Sequence, residues 1–84
     1  MAKHDTHVVG IDIGTSKISV IIAKLLSSGE TEIVGIGKSD ARGMRRGSIS
    51  NLKEVEGSIK SAVHEAESMS GYSIQSAFVS VGGC

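Results

Sequence analysis

The sequence predicts a small α/β domain: a three-stranded antiparallel meander, one amphipathic helix and one further strand. Three observations carry this. β-branched residues dominate from His7 to Gly37 and are interrupted only by short turn clusters. After Asn51 apolar residues recur at steps of three and four, and beyond that stretch a second β-branched run appears. At 84 residues there is room for one core and no second domain.

His7-Val8-Val9-Gly10-Ile11-Asp12-Ile13 reads as the first strand, and Gly14-Thr15-Ser16 supplies turn chemistry. From Lys17 to Leu26 the pattern continues as a second strand. Ile18, Val20 and Ile22 lie on one pleat face and Ser19, Ile21, Ala23 and Leu25 on the other, so both faces are expected to be buried. Ser27-Ser28-Gly29 is a turn into a third strand, Glu32 to Gly37, whose glycines mark a bend or a close backbone approach. Two tight turns in succession make the three strands antiparallel. Lys38 to Ser50 has no sustained period and is expected to be a loop. Asn51 can cap a helix with Glu54 as its reciprocal partner. Leu52, Val55, Ile59, Ala62, Val63, Ala66 and Met69 then form its apolar stripe, which stops near Gly71. Ile74 to Val81 reads as a fourth strand.

Composition excludes several function classes. Nine Lys and Arg balance nine Asp and Glu, so no net field draws the chain to nucleic acid, and aromatics to interleave with a basic patch are lacking. Arg42, Arg45 and Arg46 therefore read first as a solvated loop. The single cysteine, Cys84, can neither make an internal disulfide nor complete a thiolate metal site, which fits a reducing, cytoplasmic setting. The apolar run from Ile18 to Leu26 is far shorter than the ~20 residues of a membrane span, and the N-terminal stretch Met1 to Thr6 is polar as a whole, with Lys3, His4, Asp5 and Thr6 in succession. His4, His7 and His64 have no mutual metal-ligand spacing. Ser16, Ser19 and Ser48 lack any nucleophile motif, and Met44 and Met69 read as packing residues.

Chemistry concentrates in Gly10-Ile11-Asp12-Ile13-Gly14-Thr15-Ser16-Lys17. A phosphate needs amide donors without Cβ obstruction and hydroxyl groups, and Gly14, Thr15 and Ser16 offer both. Lys17 adds a counter-charge. Asp12 could anchor a hydrated Mg²⁺, which favours one carboxylate plus waters and phosphate oxygens. The same residues are equally compatible with a plain hairpin turn and an exposed strand aspartate. Two other phosphate motifs fail on counting. Gly37-Lys38-Ser39 ends like a Walker A loop, but Glu32 stands where the first glycine is required, and no helix follows at once. Gly35-Ile36-Gly37-Lys38-Ser39-Asp40 departs from the dinucleotide fingerprint at Asp40.

Val9 to Lys17 resembles the first phosphate-binding hairpin of the superfamily that holds actin, sugar kinases and heat-shock chaperones. Ala41 to Ile49, with its Arg-Gly-Met-Arg-Arg-Gly core, Ala62-Val63-His64-Glu65-Ala66-Glu67 and Val79-Ser80-Val81-Gly82-Gly83 resemble, in that order, the opening of its bacterial cell-division branch. The resemblance implies an actin-like, ribonuclease H-like fold in which residues 1–84 are a partial N-terminal subdomain 1A ending before subdomain 1C. It places Gly14, Thr15, Ser16 and Lys17 on nucleotide phosphates and Asp12 on Mg²⁺ through water. For the longer parent it implies ATP and Mg²⁺ as ligands, at most weak ATPase activity, and self-polymerisation. It also implies binding to the tubulin-like FtsZ ring, and attachment to the cytoplasmic face of the membrane at the division site by a C-terminal helix that lies outside this stretch. No catalytic residue and no nucleic-acid partner are implied here, and the fragment alone is expected to be inactive and to bind ATP weakly or not at all. A PilM-like pilus-assembly protein, a sugar or acetate kinase of the same superfamily, and an interaction module without nucleotide are the alternatives.

One expectation needs no resemblance. A single helix covers one face of a small sheet, whereas the second strand is apolar on both. An uncovered apolar face should therefore remain, leaving the isolated chain marginally stable, able to bind a hydrophobic dye and prone to self-associate.

Overall fold

The first three β-branched runs fold back on one another through two short turns, as their sequence patterns require. In the computed structural model, which describes residues 6–45 and 48–82, β1 (Thr6–Ile13) pairs antiparallel with β2 (Lys17–Leu25), and β2 pairs antiparallel with β3 (Thr31–Asp40). Gly29 takes a left-handed φ of 95° in the second turn, where its amide donates to the Leu26 carbonyl. A short hairpin follows, β4 (Met44–Arg45) with β5 (Ser48–Ile49). Next come helix α1 (Leu52–Ser70) and β6 (Phe78–Val81). Chain direction alternates through the meander and reverses again along α1, so β6 runs parallel to β1 and pairs beside it. The main sheet is mixed, in the order β3-β2-β1-β6.

The core lies between one face of this sheet and α1. Val9 and Ile13 of β1 and Ile18, Val20 and Ile22 of β2 are buried against Ala62 and Ala66 of the helix. Close packing is possible because Gly35 and Gly37 face the helix from β3. A Cβ on Gly37 would stand 1.8 Å from the Ala62 carbonyl oxygen, and one on Gly35 would stand 2.5 Å from that of Ala66. These glycines mark a close backbone approach, one of the two readings their pattern allowed. Tyr72, Ile74 and Ala77, in the irregular segment after α1, pack against the same core. Tyr72 also stacks on His7 at the start of β1, with ring centroids 4.0 Å apart.

Helix α1 starts and stops where its caps dictate. The Glu54 amide donates to the Asn51 side chain, and Gly71, at φ 73°, closes the C-terminus with its amide on the Glu67 carbonyl. The expected reciprocal box is only half made. The Asn51 amide donates instead to the Gly43 carbonyl, which also accepts from the Ser50 amide and hydroxyl, so the Gly43 carbonyl just before β4 takes the place of the Glu54 carboxylate.

Several expectations need correction. The second strand is not buried on both faces: Ile21 and Leu25 remain exposed, because the single helix covers only the side of Ile18, Val20 and Ile22. The third strand runs on to Asp40. The supposed loop Lys38–Ser50 therefore contains the end of β3 and the two-residue strands β4 and β5, with Arg46 and Gly47 outside the described residues. The fourth strand is shorter than Ile74–Val81. The Ile74 amide is held by the Glu67 carboxylate at 2.7 Å, and pairing with β1 begins only at Phe78 opposite Gly10. Leu52 and Met69, counted in the apolar stripe, are 70% and 62% exposed at the helix ends, beyond the sheet they would need to touch.

Candidate functional site

The hairpin between β1 and β2 sits where the C-terminal ends of β1 and β6 meet. The ladder ends at the pair Ile13 and Ile18, both buried, and the Gly14 amide then donates to the Lys17 carbonyl at 2.9 Å. Thr15 and Ser16 are thus the two turn residues, both exposed. Gly14 lets the turn close, since a Cβ there would come within 3.0 Å of the Lys17 carbonyl oxygen. Ser16 contributes its carbonyl to the Ala41 amide, and the Gly82 amide donates to the Ile13 carbonyl, so the turn is fixed from both sides. The exposed Thr15 and Ser16 are left as the hydroxyl-bearing residues of a two-residue tip.

Strand alternation decides where Asp12 points. Its neighbours Ile11 and Ile13 face the core, so Asp12 lies on the opposite, open face of the sheet and is exposed. There it is in register with Ser19 of β2 and Ser80 of β6, which places two hydroxyl-bearing residues beside one carboxylate. Gly10, Ile21 and Phe78 extend the same face into a shallow apolar depression of about 350 Å³. The donor chemistry suits a hydrated Mg²⁺ held by a single carboxylate next to phosphate. Among the described residues no three His, Cys, Asp or Glu side chains form a metal cage, so waters and phosphate oxygens would have to complete the coordination.

Lys17 is not idle. It forms the last cross-strand pair of the β2–β3 ladder, and its ammonium pairs with the Asp40 carboxylate at the end of β3. The hydrogen bond and charge of Lys17, helped by the charge of Arg42, hold the Asp40 carboxyl below its ordinary pKa. Sequence reasoning missed Asp40, and counting back from the Ser27–Gly29 turn would also have missed it. Between Ile22 and Ala23 the register slips by one residue, which moves Lys17 from opposite Ser39 to opposite Asp40. Ser19 and Ser80 were also missed as site neighbours. The alternation of β1 and β2 would have put Ser19 on the Asp12 face, whereas Ser80 depends on which edge β6 joins.

The arginine loop is tied down by its backbone. The Arg42 amide donates to the buried Ser58 hydroxyl at 3.2 Å, and the Ser39 hydroxyl donates to the Ser58 carbonyl at 2.6 Å. The Arg42 and Arg45 side chains are exposed, and Arg46 lies outside the described residues, as do His4 and Cys84. His7 and His64 stand on different elements, one stacked on Tyr72 and the other exposed. No helix among the described residues is long and apolar enough to cross a membrane.

No protein-family model matches the chain. Individual proteins do. The chain is 41% identical over 76 residues to cell division protein FtsA of Pseudomonas aeruginosa, covering 90% of this chain and 18% of that protein. It is 42% identical over 76 residues to the protein of the same name in Borreliella burgdorferi, and 33% identical over 76 residues to that of Escherichia coli K12, with the same coverage in each case. The chain spans about 18% of the length of these curated relatives.

Proposed function

The chain is a relative of cell division protein FtsA, and from that premise we propose that it serves an actin-like, ATP-binding cell-division protein. The similarity over 90% of the chain to proteins of that name carries this reading. Polymerisation, binding to the FtsZ ring and attachment to the cytoplasmic face of the membrane are proposed for a protein of the relatives' full length. In this reading the Thr15 and Ser16 tip donates to nucleotide phosphates, with the amide of Gly14 spent on closing the turn. Lys17 supplies positive charge beside the tip. Asp12, exposed on the open sheet face next to Ser19 and Ser80, holds the water shell of Mg²⁺, which when bound offsets the phosphate charge.

The test uses a protein carrying this chain at the full length of its relatives. Asp12→Ala should weaken Mg²⁺-dependent ATP binding by about tenfold or more in isothermal titration, because the hydrated ion loses its anchor. Arg45→Ala, exposed at the end of β4, should change it little. Equal losses in the two variants would remove the hairpin from the nucleotide site.

A further inference from the structure

We propose that Asp40 restrains the phosphate-facing charge of the hairpin, holding the Lys17 ammonium against the end of β3 so that an incoming phosphate must displace it. The inference rests on the phosphate reading of the hairpin given above and adds a residue that reading does not contain. The geometry is specific. Lys17 and Asp40 are cross-strand partners at the last step of the β2–β3 ladder, and the Ala41 amide on the Ser16 carbonyl locks the end of β3 beside the turn. The carboxylate is therefore positioned by backbone pairing, and the ion pair that results is exposed on both sides, 64% and 68%.

Exposure determines how the pair behaves. An exposed ion pair is held weakly because water screens both charges. A multiply charged phosphate at the Thr15–Ser16 tip offers Lys17 more negative charge than one carboxylate does, so the ammonium can be exchanged from Asp40 to ligand. Asp40 then acts as an internal competitor that lowers anion affinity without blocking the site. Arg42, the other cation acting on Asp40, is anchored by its backbone amide to the Ser58 hydroxyl.

The experiment titrates inorganic tripolyphosphate to millimolar concentration into the ¹⁵N-labelled 84-residue chain and follows the amide resonances of Thr15 and Ser16. Saturating shifts at these two residues are expected. Asp40→Asn should tighten the apparent Kd by about two- to fivefold, the range set by the strength of exposed ion pairs. Asp40→Glu, which keeps the charge, should restore the original affinity. In a Lys17→Gln background Asp40→Asn should have no effect. If Thr15 and Ser16 shift with equal Kd in the original chain and in Asp40→Asn, the competitor role is overturned while the phosphate reading stands. An equal gain in the Lys17→Gln background would assign the effect to overall charge or to Arg42, and would also overturn it. Absence of any shift at Thr15 and Ser16, with the amide spectrum dispersed as in a folded chain, would overturn this inference, while the phosphate reading is decided separately by Asp12→Ala at full length. A spectrum collapsed in every variant would overturn this inference, since the ladder that sets the pair would not exist, while the phosphate reading is decided by Asp12→Ala at full length.

Discussion

The two faces of the β3-β2-β1-β6 sheet are made by the same strands and have opposite fates. Toward α1, Val9, Ile13, Ile18, Val20 and Ile22 are buried, and β3 contributes glycines so that the helix backbone can come close. Away from α1, Val8, Ile21, Ile36 and Phe78 stay in water, Phe78 with 78% of its surface exposed, and the polar residues Asp12, Ser19 and Ser80 gather near the hairpin. Side-chain type does not separate the faces, since both are rich in isoleucine and valine. The presence of a second layer does. The candidate site lies on the face that lacks one, so the chemistry-bearing carboxylate and the uncovered apolar surface share one side of the sheet.

The contrast is broken most strongly by truncating neighbouring isoleucines. Ile22→Ala, on the covered face, should cost about 2–5 kcal/mol of unfolding free energy by urea denaturation. Ile21→Thr, next to it on the open face, should cost less than about 1 kcal/mol and should lower the fluorescence of a bound hydrophobic dye. Similar losses from both would mean the open face is packed in solution. Next in size is Gly37→Ala, whose new methyl group meets the Ala62 carbonyl and must push α1 outward. About 1–3 kcal/mol of destabilisation is expected, together with increased dye binding as the covered face loosens. Thermal melts in which Gly37→Ala unfolds like the original chain would contradict the close contact.

Smaller effects sharpen the comparison at its edges. Asn51→Ala removes the side-chain acceptor of the Glu54 amide and should cost about 1 kcal/mol, while Asn51→Ser should cost only a few tenths. Circular dichroism at the helix band during denaturation separates them. Smallest is the contribution of the Lys17–Asp40 pair. Because Asp40 is held below its ordinary pKa in the folded chain, its contribution is fully present above the usual aspartate range and is lost as pH falls through the lowered folded value. Stability curves for the original chain and Asp40→Asn should therefore converge in acid and differ slightly at neutral pH. Curves that diverge further as pH falls would reverse the sign and refute the pairing.

Local chemistry was legible in the residue order. Period-two alternation set the two faces of β2, the Asn51 and Gly71 caps bounded the helix, and Gly35 and Gly37 signalled either a bend or a close approach, because these features depend on neighbours within a few residues. The position of the hairpin turn was legible for the same reason, as was the shortage of cover for one face, since one helix can shield only one side. Only the tertiary structure decided what long-range pairing controls. It set β6 parallel beside β1, which brings Ser80 to Asp12, and it gave Ile74 to the Glu67 carboxylate instead of to the sheet. It turned the Asn51 amide to the Gly43 carbonyl. The one-residue slip after Ile22 fixed Asp40 as the partner of Lys17, an outcome no local pattern encodes because a register is the sum of every pairing between the turn and the strand end.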